Sequence, residues 1–405
     1  MKISDALIQE LPKTDLHVHL DGSLRLGTIM ELAREQGVHL PSDTQKGMKE
    51  LVFKDRYANL GEYLSGFQYT CAILQDEVSL QRAAYELAWD NINEGVRYIE
   101  VRFAPQLHTE KGLSLDDIFL AVNRGLKKAQ DEYENSVDVV EKGEPPFRYG
   151  IIACALRMFT EDTIGWYGQF LKNFYRPETK HIFGQASLEL ARNTIRCRDQ
   201  YQLPIVGLDL AGQEEGYPAK HHKFAFNHAH KYFLNRTVHA GEAYGPESIL
   251  DAITVLHADR IGHGYHLFSP EKCEPRVKEK EKYTRRIIDY IASRRITIEV
   301  CISSNLQTNP SIGNVENHHF GKMLDEQISA TICTDNRLIS NTSVSKELRL
   351  AVDAFDMSPK QLRNVLIYGF KRSFFPGSYR VKREYVRSII DYAEQVFQKN
   401  GLVVR

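Results

Sequence analysis

Five short stretches of this chain carry groups able to do chemistry together. His17-Val18-His19 sets two imidazoles two residues apart, and Thr237-Val238-His239-Ala240-Gly241-Glu242 sets an imidazole three residues before a carboxylate. Gly262-His263-Gly264 flanks a fourth imidazole with glycines, Thr334-Asp335-Asn336 adds a carboxylate, and Asp209-Leu210-Ala211-Gly212 ends in a flexible turn. On a strand, residues two apart face one side, so His17 and His19 can share a target. Histidines plus a carboxylate form a nitrogen and oxygen donor set that suits zinc and accommodates iron or manganese. Zinc lowers the pKa of bound water to about 7, worth roughly 12 kcal/mol in making hydroxide at neutral pH. No side-chain base alone supplies as much. Asp335 is then expected to orient and deprotonate the water. His263 is expected to stabilise developing charge, and Glu242 to give a proton to the substrate.

Other histidines carry less. His228-Ala229-His230 has the same two-residue spacing but lies in a helical stretch, where such residues do not face one another. The doublets His221-His222 and His318-His319 are expected at the surface or at helix caps.

The elements that must position these groups follow from the apolar pattern. Eight strand candidates fall near residues 16, 100, 152, 207, 238, 261, 298 and 332, and most are followed by a helical stretch. Such repetition predicts an α/β fold of the TIM type, a closed parallel (β/α)8 barrel with helical insertions and a helical C-terminal tail. Residues 1–405 are expected to form a single barrel domain. An open doubly wound sheet would place a glycine-rich phosphate turn after its first strand, and here that turn carries two histidines. The chemistry-bearing residues all fall at strand C-termini, the face at which barrel enzymes work. Phe53 to Leu74 shows an apolar stripe at helical spacing, either core or a lid over a pocket. Residues 132–146 and 270–282 read as insertions.

Composition narrows the partners. Among 405 residues, 52 Lys and Arg nearly balance 53 Asp and Glu, so charge gives no case for nucleic acid or an acidic membrane. Six cysteines form no Cys-x-x-Cys pair and read as buried thiols of a reducing compartment. With no apolar signal core or spanning run, a cytoplasmic location is expected.

The same residues resemble the adenosine deaminase family. His17-Val18-His19-Leu20-Asp21-Gly22-Ser23, Asp209-Leu210-Ala211-Gly212, Thr237-Val238-His239-Ala240-Gly241-Glu242, Arg260-Ile261-Gly262-His263-Gly264-Tyr265 and Thr334-Asp335 occur in that family's order, over about Leu11 to Ile339. The resemblance implies hydrolytic deamination of a purine nucleoside, adenosine and its 2′-deoxy form, at C6. One zinc ion per subunit would be held by His17, His19, His239 and Asp335. Glu242 would protonate ring N1, while His263 and Asp335 handle the water. His19 and Asp21 would meet the sugar side of the substrate, the Gly212 amide ring N3, and Tyr63 and Phe67 would belong to the lid. One position departs: many members carry a second aspartate after the metal-binding one, contacting N7, and here Asn336 stands there. An amide can donate to an unprotonated N7. The departure leaves open relatives of adenosine as substrate: adenine, AMP-like nucleotides, N6-modified adenines or aminofutalosine. Two rival readings share the residues, a barrel hydrolase cutting an ester or amide and a non-catalytic purine-binding barrel.

Overall fold

A computed structural model describes residues 3–173, 179–402 and 404. Eight parallel strands follow one another around a barrel: β1 Lys13–His19, β2 Val96–Phe103, β3 Arg148–Leu156, β4 Ile205–Ala211, β5 Asn235–Ala240, β6 Arg260–His263, β7 Thr297–Val300 and β8 Ala330–Ile332. Each pairs with the next in sequence. The seam closes just beyond β8. Val18 bridges Asp335, the Asp335 amide donates to the His17 carbonyl at 2.7 Å, and the His19 amide donates to the Asp335 carbonyl at 2.7 Å. The fold is therefore a TIM (β/α)8 barrel. Its strands are buried along nearly their whole length, as expected where one face meets the interior and the other the helices.

Local signals set the helix ends. The helix Leu26–Gln36 stops at Gly37, which takes a left-handed φ of 69°. The helix Leu115–Glu134 opens on a capping box between Ser114 and Asp117. The apolar stripe of 53–74 resolves into two short helices, Leu60–Ser65 and Phe67–Ile73, meeting at Gly66. Asn59 caps the first of them through its side chain, so Phe53 and Tyr57 are buried in the irregular segment before it. The tail forms helices Val344–Ala354, Pro359–Arg372 and Tyr379–Lys399.

The barrel interior is not purely apolar. Arg102, Arg260, Glu100, Glu299 and Asp209 project from strands and are no more than 1% exposed. Each is paired, as buried charge requires: Arg260 bridges Glu100 and Glu299. All six cysteines are buried and free. No helix among the described residues is long and apolar enough to cross a membrane.

Candidate active site

The ends of β1 and β5 and the barrel seam bring His17, His19, His239 and Asp335 together, with one ligand atom from each lying within 4.8 Å of all the others. The Nε2 atoms of His17 and His239 stand 3.1 Å apart, and those of His19 and His239 3.2 Å. Asp335 Oδ1 lies 3.4 Å from the Nε2 of both His17 and His19. The backs of two rings are held by carboxylates: His17 Nδ1 lies 2.8 Å from Glu299 Oε2, and His239 Nδ1 3.1 Å from Asp209 Oδ2. A ring whose Nδ1–H donates to a carboxylate has a bare lone pair on Nε2. Lone pairs converging at such distances repel unless a cation lies between them. Two imidazole nitrogens bound to one zinc at about 2.0–2.1 Å would be spaced much like this. The donor set therefore fits a metal ion.

Glycine makes the cluster possible. A Cβ on Gly262 would lie 2.8 Å from Cε1 of His17, so only glycine lets β6 pass behind that ring. His263 and Asp335 both adopt left-handed backbone, at φ of 62° and 61°. Such non-glycine conformations persist where the surroundings over-determine them, often at functional sites.

Glu242 sits on the turn after β5. Its side chain is 7% exposed, and its Oε2 lies 3.7 Å from His263 Nε2. Burial, reinforced by the charges of Asp335 and Glu214, pushes its carboxyl well above the usual range, with Arg157 opposing. The turn is shaped by the buried carboxylate of Glu214. It accepts the amides of Gly241 at 2.9 Å, Ala243 at 2.7 Å and Tyr244 at 2.9 Å. Asp335 behaves oppositely. Burial works to raise it, but the surrounding imidazoles of His17, His263 and His19 outweigh that and hold it well below the usual range.

The remaining predicted residues surround this centre. Asp21 is buried with Oδ1 unpartnered, 3.9 Å from His19 Nδ1, and burial pushes its carboxyl up to about 7. Gly212 ends β4 with a φ of 93°. The Phe67 ring stands edge-on to His19 at 6.5 Å. Tyr63 is buried on the inner side of the helix Leu60–Ser65. Its hydroxyl meets Ser340 Oγ at 2.8 Å and accepts from Asn336 Nδ2 at 2.9 Å, leaving Asn336 Oδ1 without a partner. A cavity of about 500 Å³ opens outward from Glu242 between Leu60, Gly61 and Leu64 on one side and Gln213 and Ala243 on the other.

Sequence reasoning missed several supporting groups. The helix Ile302–Thr308, unassigned from sequence, brings Ser304 to donate to Asp335 Oδ2 at 2.6 Å and Asn305 to within 3.1 Å of His263 Nδ1. Glu299 was legible only as a charge within an apolar run. The histidine doublets lie at helix caps, as expected, with His222 and His319 preceding the helices Lys223–Lys231 and Phe320–Asp325, but two of them are not at the surface. His222 and His318 are buried, His222 against Ser187 and His318 against Asn305, while His319 stacks on Tyr265.

Comparison with known proteins decides the family. The adenosine deaminase family model matches residues 12–392. The chain belongs to the adenosine deaminase family. It is 34% identical to adenosine deaminase 1 of Streptomyces coelicolor over 92% of this chain and 85% of that one. It is also 34% identical to a probable adenosine deaminase of Dictyostelium discoideum, over 98% of this chain but 44% of that longer protein. Among solved structures, an Arabidopsis ADAL complexed with IMP superposes with a TM-score of 0.73 at 26% identity, covering 96% of this chain and 98% of that one. As a member of this family the protein is an aminohydrolase, and the site at the C-terminal mouth of the barrel is its candidate catalytic centre.

Proposed function

We propose that this deaminase-family member is zinc-dependent and converts adenosine, and 2′-deoxyadenosine, to the corresponding inosine and ammonia. The observation that carries the reading is Glu242, a buried carboxyl on the turn after β5, beside His263 at the edge of a metal-binding cluster, whose surroundings favour its protonated form. Protonating a purine ring nitrogen while the adjacent carbon is attacked needs such an acid. Zinc, held by His17, His19, His239 and Asp335, would supply the acidity that makes water nucleophilic at neutral pH.

The protein groups then divide the work. Glu242 delivers its proton to ring N1 as oxygen bonds to C6. Asp335, its Oδ2 held by Ser304, takes the proton of the water, while His263, whose Nδ1 accepts from Asn305, turns its Nε2–H toward the attacking oxygen. The C6–N bond then breaks: the amino group leaves as ammonia with the proton taken from the water, and the proton remaining on the C6 oxygen returns to Glu242 as the carbonyl forms. The Gly212 amide meets ring N3. The unpartnered Oδ1 of Asp21, beside His19, is an acceptor waiting for a sugar hydroxyl. Asn336 offers its second amide hydrogen to N7, and Tyr63 and Phe67 close the lid. The buried carboxyl of Asp21 offers a 5′-phosphate no positive charge, which favours a nucleoside over a nucleotide. The buried, unpaired cysteines support a cytoplasmic setting for this single-barrel enzyme.

A second reading, another 6-aminopurine, is favoured by the cavity outside Glu242, which has room for a larger substituent. The deciding experiment is ammonia release from adenosine, 2′-deoxyadenosine, adenine, AMP, N6-methyl-AMP and aminofutalosine by zinc-loaded protein. Adenosine is expected to be the best substrate. Turnover of a nucleotide or free base alone would move the assignment to that compound, and silence on the whole panel would overturn the deaminase reading.

A further inference from the structure

The carboxylates behind His17 and His239 come from different strands, yet one cation serves both. Arg102, on β2 and fully buried, donates through Nη1 to Asp209 Oδ2 at 3.0 Å and through Nη2 to Glu299 Oε2 at 2.8 Å. Nη2 also donates to the carbonyl of Leu16 at 2.5 Å, the residue before His17. A single planar guanidinium thus touches the carboxylate behind one metal-facing ring, the carboxylate behind another, and the strand that carries the first.

We propose that Arg102 is a positioning residue for the metal centre, fixing Asp209 and Glu299 so that His239 and His17 both present Nε2 to the ion. The inference rests on reading the four-residue cluster as a metal site. The physical argument is one of charge and shape. A carboxylate orients the imidazole that donates to it only while it is itself held in place, and the guanidinium fork fixes both acceptors, Asp209 Oδ2 and Glu299 Oε2. Once that hold is lost, the ring is free to turn or to carry its proton on Nε2, and either change removes a ligand. Lysine cannot replace the fork, because one ammonium cannot span three acceptors in a plane.

The two arms are unequal. Glu299 has a second cation, Arg260, whose Nε lies 2.6 Å from Oε1, and it also accepts from Thr237 Oγ1 at 3.0 Å. At Asp209 the charged partner other than His239 is Arg102, the remaining contacts being the Leu210 amide and the Cys154 thiol. Loss of the fork should therefore disturb His239 before His17.

The test is zinc competition against a chromophoric chelator on wild-type, Arg102→Lys and Glu100→Gln protein, with histidine nitrogen NMR of the metal-free forms. Glu100 belongs to the same buried charge network, pairing with Arg260, but touches neither histidine. The clamp predicts about 10–100-fold weaker zinc binding for Arg102→Lys, a typical cost of losing an outer-sphere partner, with the His239 resonance changed most. Glu100→Gln should keep wild-type zinc affinity even if it lowers the melting temperature. A folded Arg102→Lys protein with wild-type zinc affinity and an unchanged His239 overturns the proposal. Equal losses in Glu100→Gln and Arg102→Lys also overturn it, because the effect would then be general loosening. If Arg102→Lys fails to fold, Asp209→Asn, Glu299→Gln and their double variant carry the test. A shared clamp predicts that the double variant loses less than the product of the single losses, and a full product overturns it. Wild-type protein that takes up no zinc would refute the metal-site reading itself, which is a separate result.

Discussion

Glu242 and Asp335 are both buried carboxyl groups in one pocket, yet their surroundings drive them apart. Glu242 faces the negative charges of Asp335 and Glu214, with only Arg157 in opposition and His263 neutral beside it. Asp335 instead faces imidazoles. An acid and a base can then coexist at neutral pH, because each is held in the form its task needs. As the proposed acid Glu242 works in its protonated form, so kcat/KM should be sustained below its raised pKa and fall as pH rises through it. A rate that climbs through the alkaline range would contradict the assignment of Glu242 as the acid. Tyr63→Phe removes the hydroxyl that accepts from Asn336, freeing an amide that the lid now holds. It should raise KM for adenosine several-fold with little change in kcat, read from steady-state kinetics, and an unchanged KM would separate the lid from substrate binding.

At the level of elements, all eight strands were legible as short apolar or alternating runs, several of them bounded by Gly, Pro or Asp. The site histidines were legible because they interrupt those runs at their ends. The helix Ile302–Thr308 was not, since Ile-Ser-Ser-Asn-Leu-Gln-Thr is rich in residues that favour turns. Packing on the barrel imposes its helical form, and Ser304 and Asn305 were missed with it. Arg102, Asp209 and Glu299 were readable in a weaker sense. An ionisable residue inside a strand buried on both faces demands a partner, but sequence does not say which. Gly262 belongs at this scale too. Gly262→Ala forces a methyl group against the His17 ring, so it should cost about 1–3 kcal/mol of stability and weaken metal binding. Thermal melting of the metal-free protein and zinc content after dialysis measure the two effects, and a variant unchanged in both would show that the β6 backbone yields freely.

Across the whole molecule, the metal cluster and the closure of the barrel coincide. The residues that donate and accept across the seam, His17, His19 and Asp335, are three of the four proposed ligands. An ion held there ties β1 to the segment after β8, so metal binding and barrel integrity are linked. Removing metal with a chelator should lower the melting temperature, and restoring zinc at about 100 times its dissociation constant should return about 2.7 kcal/mol. A melting temperature indifferent to chelation would place the ion, if any, elsewhere. The most direct test of the central claim is adenosine turnover by wild-type and Glu242→Gln protein, with zinc content measured on the same samples. The account predicts equal zinc in the two proteins and a rate in the variant lower by on the order of 10²–10⁴-fold, the usual contribution of a positioned acid. Wild-type turnover by Glu242→Gln protein with full zinc would contradict it.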